Sequence, residues 1–124
     1  MHSRDFMHLY PYLDTMHKEY PNDPLFYVAE GMARDFQGDK RRARKAFEKA
    51  VEIYDLRIAT KHDLGVMVNR AGVIQSLYGK AAFYQAIDEA ISHASSRQEA
   101  ERIECFRSID FKETQRQMFC KDHP

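Results

Sequence analysis

Six histidines, two cysteines and one run of cations are the residues of this chain with obvious chemical reach. An imidazole can ligate a metal or move a proton near neutral pH. Here His2, His8, His17, His62, His93 and His123 are scattered. None forms a His-Glu-x-x-His pair, and only Cys120 with His123 share a short spacing, close to the end of the chain. A zinc site needs three or four ligands brought together. Nothing in these spacings predicts that, so neither a metal nor a cofactor is expected. Nucleophilic catalysis fares no better. The chain holds no Gly-x-Ser-x-Gly turn, no glycine-rich phosphate cradle and no evident Cys/His constellation. Glu30 beside Gly31 could be a buried acid; a partly exposed carboxylate paired with Arg34, four residues on, is the plainer reading. The expectation is that the chain is not an enzyme.

Lys40, Arg41, Arg42, Arg44, Lys45 and Lys49 crowd one segment. Clustered cations can neutralise phosphates and release counterions, or dock an acidic partner. Cations in the first turn of a helix also oppose its dipole, at about 0.3–1 kcal/mol each. Against this, Glu48 and Glu52 lie within pairing reach of Arg44, Lys45 and Lys49. The formal net charge is zero, with a pI near 7.0. A solvated outer face is therefore preferred, and nucleic-acid binding through Lys40, Arg41, Arg42, Arg44 and Lys45 is kept as the alternative function.

Composition limits what can position these residues. A chain of 124 residues with 44% hydrophobic side chains can bury a single core, and one domain over 1–124 is expected. There is no Trp, and seven Tyr with eight Phe supply the large side chains. Two cysteines are too few for a disulfide framework, so reduced thiols are expected. The opening Met-His-Ser-Arg-Asp-Phe holds no apolar signal core. No run of 18 apolar residues follows. A cytoplasmic protein with no membrane contact is expected.

Helical periodicity runs throughout. Phe6, Leu9, Leu13 and Met16 recur at helical spacing up to Pro21, with Pro11 as an obstacle. An interior proline costs about 3 kcal/mol, so the rigid helix is expected to begin near Tyr10. Asp23-Pro24 reads as a strong helix start. Leu25, Val28, Ala29, Met32 and Phe36 form one face, closed at Gly38. Asp39 caps the next helix, whose buried side is Ala43, Phe47, Ala50 and Tyr54, flanked by Ala46 and Ile53. Thr60 and Asp63 have the spacing of a capping box before a helix carrying Leu64, Met67, Val68, Ala71, Ile74 and Tyr78. Gly79 breaks it. Phe83, Ala86, Ile87, Ala90 and Ala94 mark the fifth helix. Ser96 and Glu99 start a sixth, through Ala100, Ile103 and Phe106. Past Ser108, either Asp110 caps a short last helix or the sixth continues.

Ala43, Phe47 and Ala50 stand 34 positions after Leu9, Leu13 and Met16, and Asp55 stands 34 after Pro21. That is the length of a tetratricopeptide unit. The segment from Gly31 through Gly38 and Asp39, followed by Ala43, Phe47 and Ala50, resembles the central signature of that family, with Tyr27 at the first large position. Gly72 and Gly79 repeat Gly31 and Gly38 at an interval of 41.

The resemblance implies an all-α superhelix of five or six antiparallel helices, with residues about 97–124 as a C-terminal capping region. It further implies that the first helix of each hairpin lines a groove for a peptide or helix of another protein. The groove positions it assigns are Val28, Met32, Asp35, Asn69, Arg70 and Val73. Val28 and Met32 stand where some members carry a carboxylate-gripping Lys and Asn, which directs the expectation to an apolar segment instead. Core membership of Val28 and Met32 is the competing reading. The expected role is an adaptor, chaperone or inhibitor, in the size and style of bacterial secretion chaperones. Self-association as a homodimer is another way to cover an open apolar end.

Overall fold

A computed structural model describes residues 3–120. Among them there are seven α-helices, one 3-10 turn and no strand, so the protein is all-α. The helices are α1 (Ser3–Glu19), α2 (Pro24–Phe36), α3 (Lys40–Thr60), α4 (Leu64–Tyr78), α5 (Lys80–Ser92), α6 (Arg97–Glu104) and α7 (Phe111–Cys120). The 3-10 turn Cys105–Ser108 separates the last two. The sixth run therefore ends before Ser108, and a short seventh helix follows.

The helices group into two compact units. One comprises the residues up to Ala50 with those from Lys112 onward; the other is Val51–Phe111. In the first, local chemistry sets the ends of α2 as the sequence predicts. The Asp23 carboxylate accepts from the Leu25 amide at 3.0 Å, ahead of Pro24 in the first turn. At the other end Gly38 adopts φ +86°, which a side chain would disfavour. Its amide donates to the Asp35 carbonyl, and the Asp39 amide to that of Arg34. These two bonds satisfy carbonyls that would otherwise end the helix unpaired. Asp39 then caps α3 through the Arg42 amide.

Packing in this unit depends on a close approach. Gly31 is buried against the ring of Phe47, and a β-carbon there would lie 2.5 Å from ring carbons. Ala43, Ala46 and Ala50 are buried beside Phe47 in the sequence of α3. On α2, burial does not follow the single face expected. Leu25 is 60% exposed, whereas Gly31 and Ala33 are buried. Side chains from α1, α3 and α7 all touch α2, so it is enclosed from several directions rather than along one stripe. Phe6, Phe36 and Phe119 meet with ring centroids 5.4–6.3 Å apart, joining α1, α2 and α7.

Two boundaries differ from the sequence expectation. The helix α1 runs through Pro11 instead of starting near Tyr10. Phe6 and Leu13, two turns apart on either side of the proline, are both buried. Their burial, at about 1.5–3 kcal/mol each, outweighs the proline penalty. Thr60 does not open α4. It is the last residue of α3, where its hydroxyl donates to the Leu56 carbonyl. Asp63 alone caps α4, through the Val66 amide at 3.2 Å.

In the second unit Met67, Ala71, Phe83, Ala86, Ile87, Ala90 and Ile103 form the core. Gly79, at φ +92°, is the whole connection between α4 and α5. Ser96 caps α6 through the Glu99 amide, but Glu99 reaches back to the amide of Ser95, one residue earlier than a capping box requires. Gln75 is buried, and its amide both donates to the Ile109 carbonyl at 3.0 Å and accepts from the Phe111 amide at 2.7 Å. Both ends of a buried polar group are thus satisfied. The bonds hold Phe111 over Gly72, where a β-carbon would lie 2.5 Å from the ring.

Two stability measurements test this arrangement. Pro11→Ala should stabilise the protein by about 1–3 kcal/mol in urea unfolding, because an interior helix bond is restored; a neutral result would place the helix start at Tyr10 after all. Gly31→Ala should destabilise it by up to about 2 kcal/mol. Overpacking of about 1–3 kcal/mol there exceeds the gain of about 1 kcal/mol in helix propensity.

Candidate functional site

The six positions assigned to a groove divide between the units. Val28, Met32 and Asp35 lie on α2 in the first unit, and Asn69, Arg70 and Val73 on α4 in the second. Val28 and Met32 are half-buried. The Asp35 side chain is only 9% exposed and engaged with three partners: Lys40 at 2.5 Å, Lys112 at 3.1 Å and Gln115 at 3.1 Å. It joins the end of α2 to α3 and α7. Burial pushes the Asp35 carboxyl upward, but the hydrogen bonds from Lys40, Gln115 and Lys112 outweigh it and hold it below its ordinary value. On α4, Val73 is 4% exposed, within the core. Arg70 donates to Asp55 at 2.6 Å. Asn69 is exposed and lies on the wall of a cleft.

That cleft, between α4 and α6 within the second unit, has a volume of about 330 Å³. Leu64, Val68, Ile103 and Phe106 make its apolar surface, and Asn69, Glu99 and Arg102 its polar margin. Leu64 and Val68 stand one turn apart on α4; Ile103 is near the end of α6, and Phe106 follows three positions later in the 3-10 turn. Gly65, beside Leu64, leaves the wall low where a larger side chain would stand. Bonds from the Ser95 amide and hydroxyl hold Glu99 below the usual carboxylate range, so it stays charged. Phe106 is 38% exposed. An apolar floor with one fixed anion, one cation and one amide at its edge suits an apolar side chain whose backbone or flanking charges are read at the margin.

Helical periodicity places Leu64 and Phe106 on the apolar sides of their helices and does not single out α6 as a wall. The signal was present in the capping pair Ser96 and Glu99, which sets where α6 begins and hence which of its side chains meet α4.

Elsewhere, the cations of α3 are partly matched locally. Lys40 pairs with Asp35, Arg42 with Asp39 at 3.8 Å, and Arg44 with Glu48 at 3.9 Å. Glu30 does pair with Arg34, at 3.3 Å, and also meets His17 at 2.8 Å. The His17 ring stacks on Tyr27 with centroids 4.1 Å apart. Among the described residues, no three His, Cys, Asp or Glu are grouped to hold a metal ion. His62 and His93 stack at 4.4 Å, and Cys105 is a free, exposed thiol. His2 and the Cys120–His123 pairing fall outside the described residues. No helix among the described residues is long and apolar enough to cross a membrane.

No family model matches the chain, and no curated protein or solved structure matches it.

The Asp35 cluster has a pH signature. A carboxylate held below its ordinary value of 3.8 contributes stability above that value and loses it as pH falls through the lower, folded value. Asp35→Asn should therefore lower the unfolding free energy at pH 7. The difference from the parent protein should narrow as pH drops below about 4. Denaturation series at several pH values check this; a constant difference down to acid pH would mean the charge on Asp35 contributes nothing.

Proposed function

We propose that this protein is a non-enzymatic interaction module that holds an apolar segment of another protein in the cleft between α4 and α6. The single observation that carries the reading is that cleft: half-buried Leu64 and Val68 and exposed Phe106 line an open space over buried Ile103, with Asn69, Glu99 and Arg102 at its margin. Apolar side chains kept partly in water gain about 25 cal/mol for each Å² that a partner covers. A peptide or amphipathic helix fits such a space better than a flat protein face, because it can insert one or two anchor side chains between two helices. The resemblance to tetratricopeptide repeats supports the same kind of task, as an adaptor, chaperone or inhibitor in the cytoplasm. It does so at the level of fold style alone. The alternative, a nucleic-acid contact through Lys40 to Lys49, is weakened by the carboxylates already facing Lys40, Arg42 and Arg44.

The test is selection of binders from a library of amphipathic helical peptides, followed by fluorescence anisotropy on the full chain. Phe106→Ala should weaken the selected peptide by about tenfold or more, and Val68→Glu should abolish binding with the helical circular-dichroism signal unchanged. Affinity should change little between low and high salt. Peptides that bind equally well to both variants would move the site away from α4 and α6. A steep loss with salt, carried by Arg41 and Arg44, would favour the nucleic-acid reading instead.

A further inference from the structure

We infer that a second cleft, between α2 and α3 in the first unit, binds a small oxyanion of phosphate chemistry carrying two or more negative charges. The cleft has a volume of about 320 Å³, near the lower end of small-ligand sites at about 300–1,000 Å³. From α2 it takes Tyr27, Glu30 and Arg34, and from α3 Arg42, Lys45 and Lys49, with Ala46 leaving space between them. Each set follows the three- and four-residue spacing of one helix face, so the two faces oppose one another. The approach is set beside the cleft by Phe47 against Gly31, neighbours of Ala46 and Glu30.

Four cations stand here with one carboxylate. The Glu30 oxygens are already taken, one by His17 and the other by the Arg34 Nε. Arg34 keeps two further nitrogens in a planar fork, fixed from below where its guanidinium lies 3.9 Å from the Tyr10 ring centre. Arg42 meets Asp39 only at 3.8 Å, beyond hydrogen-bond length. Lys45 is exposed and makes no ion pair among the described residues. Like charges on successive turns repel, and a ligand with several oxygens would relieve that from both walls at once. A phosphate group presents three oxygens and close to two charges, more than a lone carboxylate can offer to donors on two helices. Size and placement argue against a polynucleotide. Lys40 and Arg44 on α3, outside the cleft, already meet Asp35 and Glu48, whereas at the cleft Lys45 meets no carboxylate among the described residues.

Isothermal titration of the full chain at about 0.15 M salt with inorganic pyrophosphate, and separately with a hexose monophosphate, tests the site. One-to-one binding is expected, with a dissociation constant below about 1 mM for at least one probe; the tighter probe identifies whether a free phosphate or an ester is the better ligand. Lys45→Glu should weaken it by about tenfold or more. Arg41→Glu makes the same change of charge on the same helix but away from the cleft, and should leave affinity within about twofold. Both positions are solvent-exposed, so neither variant threatens the fold. Absence of binding to both probes would overturn the inference. So would equal loss in the two variants, or tighter binding of a single-stranded oligonucleotide that depends equally on Arg41, since each describes a diffuse basic surface. Peptide binding at α4 and α6 uses other residues and is read independently.

Discussion

Each unit of this protein depends on a phenyl ring laid against a glycine on a helix. Gly31 lies under Phe47 and Gly72 under Phe111. A glycine in a helix interior costs about 0.5–1 kcal/mol relative to alanine. The return is a close helix approach, over which dispersion contacts and buried apolar area accumulate. In the first unit that approach sets the spacing of the α2 and α3 walls. In the second it holds the chain beyond the 3-10 turn against α4, with the Phe83 ring edge-on to Phe111 at 5.8 Å.

The two glycine pairs show how one constraint is met by different means. Gly31 and Gly72 are 41 residues apart, as are Gly38 and Gly79, and the members of each pair share a physical role. The rings do not repeat at that interval. Phe47 comes from the next helix, whereas the position 41 residues after it is Asp88, which is exposed. The second unit takes its ring from Phe111, far along the chain. It then needs Gln75 to fix the backbone on both sides of Asp110. A buried amide with two backbone partners replaces what local helix geometry supplies in the first unit.

The chemistry of the surface follows from the same packing. Between α4 and α6, apolar side chains line an open cleft. Between α2 and α3, cations from both line another. Carboxylates are distributed unevenly between these places. Asp35 is consumed in joining three helices, Glu99 in capping α6 and Glu30 in meeting His17 and Arg34. A zero net charge therefore coexists with a cleft lined by four cations and one carboxylate.

Much of the fold was legible residue by residue. Asp23-Pro24, Gly38, Asp39, Gly79 and Ser96 act through bonds to atoms a few positions away, so their types alone set most helix ends. The buried row Ala43, Ala46, Phe47, Ala50, Ile53 and Tyr54 is likewise a matter of helical period. Pro11 and Thr60 were misread because their effects compete with burial and helix extension farther along. Only the tertiary structure decided which side of α2 is covered, that Asp35 joins three helices, and that Leu64 and Phe106 share a cleft. Those outcomes depend on contacts between residues tens of positions apart, whose energies no local pattern of residue types encodes.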